Sequence, residues 1–338
     1  MSGAPARFAL GGLVVLGAGW LVLALFAPEA APAPTATYTS SRQCGECHPQ
    51  VYDEWSESQH AISWTNPFVR AENQSNNFAN KDCIDCHAPR PVFETGIGKR
   101  VLPRNVRRPE GVDCIACHQL PESMGGGVAG TINDPRAPCR PTQVLDLQRP
   151  EFCAGCHDQH KTVQQWRASS WAAKKIDCLD CHMPFRNGDP AQGRDHRCWG
   201  GNRLELLQSA VELRGERGDG GWTVAVANTG TGHSFPTDER SRAADVFWRP
   251  LPTGETESAE PGPWRHLHRF RSPYRHETDI EDTLLAADDT WTGTIADPDA
   301  EGGVEVALFY KRSPYWEDPE SPDPEREATL VHRLALEP

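Results

Sequence analysis

Methionine is scarce in this chain, three residues in 338, and tyrosine is hardly commoner at five. Met1 opens the sequence and Met183 directly follows His182, so Met124 is the one methionine free to reach a distant centre. An excess of positive charge is missing as well. Met1 to Asn202 carries 20 Lys+Arg against 20 Asp+Glu, and Arg203 to Pro338 carries 14 against 27, so the net charge of −13 belongs wholly to the second part. With no basic surplus in either part, nucleic acid is excluded as a partner class. Long unbroken helical patterns are absent too, because Pro89-Arg90-Pro91, Gly125-Gly126-Gly127 and Asn133-Asp134-Pro135 interrupt them.

One long hydrophobic run stands out against this background. Phe8 to Ala27 is uncharged and apolar for 20 residues and is preceded by Arg7. A cleaved signal has an apolar core of only about 7–15 residues, whereas a spanning helix needs about 20. Pro28, Pro32 and Pro34 disturb the Ala-rich stretch where cleavage would fall. Residues 1–27 therefore read as a signal peptide or an N-terminal membrane anchor, with the length favouring the anchor. Either reading exports the rest, to the periplasm or the outer face of the cytoplasmic membrane. Lacking a nearby cysteine, the segment is no lipid attachment site. Residues 28–41, rich in Pro, Ala and Thr, read as an extended linker.

The twelve cysteines are what the sequence has in abundance. Ten form five Cys-x-x-Cys pairs, each followed at once by histidine: Cys44-Gly-Glu-Cys47-His48, Cys83-Ile-Asp-Cys86-His87, Cys114-Ile-Ala-Cys117-His118, Cys153-Ala-Gly-Cys156-His157 and Cys178-Leu-Asp-Cys181-His182. Two thiols at this spacing can add to the two vinyl groups of one haem, and the adjacent histidine then supplies the proximal nitrogen to its iron. Zinc sites and thiol redox pairs also use Cys-x-x-Cys, but neither requires the histidine. The expected cofactor is five covalently attached haem c groups. Five motifs fall in about 160 residues, too little chain per haem for a conventional apolar core. The porphyrins must fill the interior themselves, with short helices and loops around them.

The expected architecture is thus an α/irregular multihaem cytochrome c domain over 42–202, followed by an all-β sandwich-like domain over 203–338. In the latter, Trp222–Asn228, Ala244–Trp248, Thr290–Ile295, Val304–Tyr310 and Ala328–Leu336 alternate and are rich in β-branched and aromatic residues, with Gly and Pro turns between them. The haem region holds an internal echo. Trp55-x-x-Ser58-x-His60-Ala61 and Trp166-x-x-Ser169-x-Trp171-Ala172 each follow a haem motif by about ten residues.

The haem motifs, Trp55-x-x-Ser58-x-His60-Ala61, Cys178-x-x-Cys181-His182-Met183-Pro184 and Asn228-x-Gly230-x-Gly232-His233-x-x-Pro236-Thr237 resemble the multihaem cytochromes related to cytochrome c-554. The similarity covers most of 42–240, and the β-region is similar to a C-terminal domain that many of these relatives carry. The resemblance implies that His60, His196 and His233 are distal haem ligands. Scarce methionine fits bis-histidine haems of low potential. His160 is a second-rank ligand candidate, as are His266, His268 and His276 in an Arg-rich stretch, while His332 alternates within a strand and reads as structural. Two departures from the relatives matter. Trp171 stands where they sometimes have histidine, and Cys139 stands where they often have one, so one haem is expected to be five-coordinate or to take an uncommon ligand. Cys139 and Cys198 are left as a disulfide, as two thiols, or, for Cys139, as a thiolate on iron.

The expected role is electron transfer between a membrane or periplasmic donor and an acceptor, with the acidic β-region docking a basic redox partner. The rival is a haem enzyme acting on a small nitrogen or sulfur compound at an open-coordination haem. A structural subunit of a larger haem assembly is a third class. No Cys-x-x-Cys-Lys motif supports the enzyme.

Overall fold

The computed structural model describes residues 38–75, 81–237, 242–251, 262–274, 277–297, 300 and 302–337. The signal or anchor at 1–27 and most of the linker lie outside the described residues, as does His276. No helix among the described residues is long and apolar enough to cross a membrane.

The first half is built of short helices, several of which carry an attachment motif. Helix α1 (Ser41–Gly45) carries Cys44 and is closed by a capping box from Ser40 and Gln43. Helix α2 (Pro49–Ser56) starts on a proline at its first turn. Helices α3 (Lys81–His87), α4 (Cys114–His118), α5 (Pro150–His157) and α7 (Cys178–His182) end on motif histidines, and α6 (Thr162–Ala168) follows the fourth motif. Asp113 and Asp177 cap α4 and α7 by accepting backbone N–H groups of Ala116 and Leu179. Strand β1 (Val128–Gly130) pairs in parallel with β2 (Pro141–Gln143).

Apolar packing in this half is sparse. One cluster consists of Trp64, Ile84 and Ala88, and another of Phe93, Leu120 and Ala129. The buried positions include polar groups instead: Glu54, Asp113 and Arg104. Such an interior, poor in hydrocarbon, is what bulky prosthetic groups would complete.

Beyond helix α8 (Leu204–Ala210) the chain becomes β. Strands β3 (Glu212–Gly218), β4 (Gly221–Ala227) and β7 (Thr290–Ile295) form one antiparallel sheet. Strands β5 (Ala243–Pro250), β6 (Arg265–Phe270), β8 (Val304–Lys311) and β9 (Thr329–Leu336) form a second, in the order β6-β5-β8-β9. Val224, Val226, Ile295, Val246, Val306 and Leu308 from the two sheets meet in one core. The outer face of the second sheet is covered too, with Phe247, Ala307 and Phe309 beneath Trp264 and Trp316. The sequence pattern missed β3 and β6. Both are edge strands, and their charged sequences (ELRGERG and RHLHRF) keep little of the apolar alternation that marks a buried strand.

The described residues share one compact unit, and polar contacts join the helical and β halves. Asp288 accepts from the Ser170 N–H at 2.9 Å and from its hydroxyl at 2.8 Å. Gln165 accepts from the Ser234 N–H at 3.2 Å.

Candidate haem centres

Three pairs of histidine rings face each other. His157 of the fourth motif lies 6.1 Å, centroid to centroid, from His60. His118 of the third lies 6.4 Å from His196, and His182 of the fifth lies 6.2 Å from His233. Two metal–nitrogen bonds of about 2.0 Å laid end to end, together with the depth of the two rings, come to roughly 6 Å. Each gap therefore fits one metal atom with an imidazole on either side. The three histidines singled out by the resemblance are brought to three different motif histidines.

The ring nitrogens are prepared for this. Backbone carbonyls accept from Nδ1 of His118 (Ala129, 2.8 Å), His87 (Ser63, 2.8 Å), His182 (Trp199), His196 (Arg194, 2.9 Å) and His233 (Ser234, 3.0 Å). A proton held at Nδ1 leaves the Nε2 lone pair for a metal and fixes the ring's orientation. Burial pushes His60 and His233 down to about 4, with neighbouring histidines adding to the effect. Burial likewise lowers His118 and His196. These imidazoles are neutral at pH 7, the state a ligand needs.

The motifs also approach one another. Cys44 is in hydrogen-bond contact with Cys114, Cys153 with Cys178, and Cys156 with Cys86. Motif one thus adjoins motif three, and motif four adjoins both five and two. On these observations the residues fit covalently attached haem: thiol pairs one helical turn apart, an imidazole directly after each, and metal-sized gaps between three pairs of histidines.

The echo seen in the sequence is structural. Trp55 Nε1 donates to the Val112 carbonyl and Trp166 Nε1 to that of Ile176, both at 2.8 Å. Each acceptor stands two residues before the first cysteine of a motif. Trp171, in the histidine's place, packs against Gly232 beside His233. A Cβ on Gly232 would stand 2.8 Å from Trp166 and 3.2 Å from Trp171, so only glycine lets this loop lie so close.

The remaining candidates fall elsewhere. His266 bonds to Asp245 at 2.9 Å, His268 stacks on Trp291 at 4.4 Å, and His332 bonds to the Val211 carbonyl at 2.7 Å, all within the β-region. The side chain of His160 lies outside the described residues. Met124 is exposed on a turn. Cys139 and Cys198 are both free thiols. Cys198 is pushed up to about 12 by burial and the nearby Asp195 charge, and it lies close to Cys117, whereas Cys139 lies near Cys44 and Tyr38.

Two residues that sequence reasoning missed belong to this machinery. Glu54, buried, accepts the His196 backbone N–H at 3.0 Å and a bidentate pair from Arg186 at 2.6 Å. Burial pushes its carboxyl up, but the bonds from Arg186 and His196 outweigh this and hold it below the usual carboxylate range. Gln165 does the corresponding work at Ser234. The available signal was the residue before each tryptophan of the echo, glutamate in one copy and glutamine in the other.

Comparison with known proteins agrees with this geometry. Residues 43–119 match the family described as cytochrome c554 and c-prime. The crystal structure of a penta-heme cytochrome c552 from Thermochromatium tepidum superposes with a TM-score of 0.61, covering 88% of this chain and 99% of that one at 18% identity. At that identity the likeness is one of fold. No curated protein sequence matches the chain.

Proposed function

We propose that this chain, which belongs to the multihaem c-type cytochromes, is an exported electron carrier holding five haem c groups. The observation that carries the reading is the set of three histidine pairs separated by 6.1–6.4 Å. A centre with both axial positions filled has no place for a substrate and serves electron transfer. When bound, each haem supplies an iron that takes up and gives back one electron.

The chain's own residues do the rest. In this reading Cys44 and Cys47, Cys83 and Cys86, Cys114 and Cys117, Cys153 and Cys156, and Cys178 and Cys181 anchor the porphyrins. His48, His87, His118, His157 and His182 are proximal ligands, and His60, His196 and His233 are distal ones. Contacts among the cysteines of motifs one and three, four and five, and two and four support a closely spaced array. The domain over 203–338 contributes His233 and, with its acidic surface, docks a basic redox partner. Redox titration of the purified protein followed by absorbance tests the reading: several low-potential one-electron steps are expected, and a single high-potential step contradicts it.

One observation supports a second reading. The three histidine pairs supply a second imidazole to His118, His157 and His182, which leaves His48 and His87 outside those pairs. A haem on either could hold an open position for a small nitrogen or sulfur compound. A high-spin signal shifted by cyanide or nitric oxide would favour that role.

A further inference from the structure

The two copies of the echo share more than a tryptophan. Aligned on Trp55 and Trp166, the preceding residues are Glu54 and Gln165, and both accept a backbone N–H from a loop that carries a candidate distal histidine. Glu54 Oε2 takes the N–H of His196 itself, at 3.0 Å, and Gln165 Oε1 takes that of Ser234, next to His233, at 3.2 Å. The tryptophans meanwhile hold the opposite side, through the carbonyls of Val112 and Ile176 just ahead of Cys114 and Cys178. The histidines so addressed are partners: His118 with His196, and His182 with His233.

We infer that Glu54-Trp55 and Gln165-Trp166 are two copies of one positioning device, and that it sets the separation of the two axial imidazoles at the third and fifth haems. Two adjacent residues on a single short helix fix both sides of a centre at once. The tryptophan fixes the attachment side, and the carboxylate or carboxamide fixes the distal side. Adjacent side chains on a helix point in different directions, which is what reaching two different segments requires. The copies differ in how the acceptor is itself held. Glu54 is locked by Arg186, whose side chain is 12% exposed. The Gln165 loop is instead pressed down at Gly232, where Trp166 and Trp171 leave no room for a side chain. Glu54 and Gln165 are positioning residues, since neither reaches a metal. The inference rests on the bis-histidine reading of these two centres.

The test is the spin state of the full-length protein matured in a host that attaches c-type haem, read by electron paramagnetic resonance. His196→Ala and His233→Ala serve as references, and each should turn one haem high-spin. Glu54→Ala should reproduce the His196→Ala signal, and Gln165→Ala the His233→Ala signal. The exchanges Glu54→Gln and Gln165→Glu keep an acceptor oxygen and should stay low-spin, whereas Gln165→Met, which fills similar space without that acceptor, should turn high-spin; a merely space-filling role would leave Gln165→Met low-spin. Should Glu54→Ala fail to accumulate, Gln165→Ala, which breaks no ion pair, carries the test. Alanine variants that stay fully low-spin beside high-spin histidine variants overturn the inference. Histidine variants that leave the spectrum unchanged overturn the bis-histidine reading instead.

Discussion

His182 and His233 lie with their ring planes only 12° apart, although one ends a helix of the fifth motif and the other sits on a loop of the β-region. Near-parallel rings across a metal-sized gap tie two differently built halves of the chain to a single centre. Replacing His233 with alanine should convert one haem to high-spin and loosen the β-region from the rest. The measurement is limited proteolysis beside the absorbance spectrum, with cleavage near 201–240 rising in the variant.

Asp113 and Arg104 form a buried ion pair at 3.3 Å, their side chains 0% and 6% exposed, and Arg107 adds a second contact to the same carboxylate at 2.6 Å. Asp113 also caps the helix of the third motif. Removing one partner of such a pair leaves a buried charge uncompensated, at a cost of about 3–5 kcal/mol. Asp113→Ala should lower the denaturation midpoint accordingly and reduce haem occupancy at Cys114 and Cys117, as read by mass spectrometry of peptides.

Trp55→Phe and Trp166→Phe keep the ring but remove the N–H that satisfies the carbonyls of Val112 and Ile176. Both acceptors are only half-buried, so each loss falls at or below the low end of the about 1–3 kcal/mol that an unpaired buried acceptor costs. Each variant should unfold at lower denaturant than the parent, with the slope of the transition unchanged.

Glu54 gives a pH dependence whose sign is fixed by its depressed carboxyl pKa. A carboxyl held lower in the folded state than in the unfolded one adds stability above the unfolded value, about 4.3. That contribution is lost as pH falls through the folded value. Chemical denaturation of the parent and Glu54→Gln should therefore differ at pH 6 and converge as the solution is acidified below pH 4.

The attachment sites were legible from sequence because thioether chemistry demands contiguous residues, so each site is written in five consecutive letters. The central strand Gly221–Ala227 was legible because packing between two sheets imposes its alternation. The pairing of His60 with His157 rather than with a nearer motif was not legible. It depends on how α1, α2 and the later motif helices stack, and stacking leaves no local trace in the sequence. Edge strands β3 and β6 escaped for the opposite reason: solvent on one side relaxes the pattern. Glu54 was not among the candidates read from sequence, and its bonds to Arg186 and His196 are what give it a role.

The most direct test of the central claim is a haem count by pyridine haemochrome assay joined to electron paramagnetic resonance on the same oxidised sample. Five haems per chain are predicted, with at least three giving low-spin signals of two imidazoles on iron. Fewer than five, or high-spin signals throughout, would contradict it.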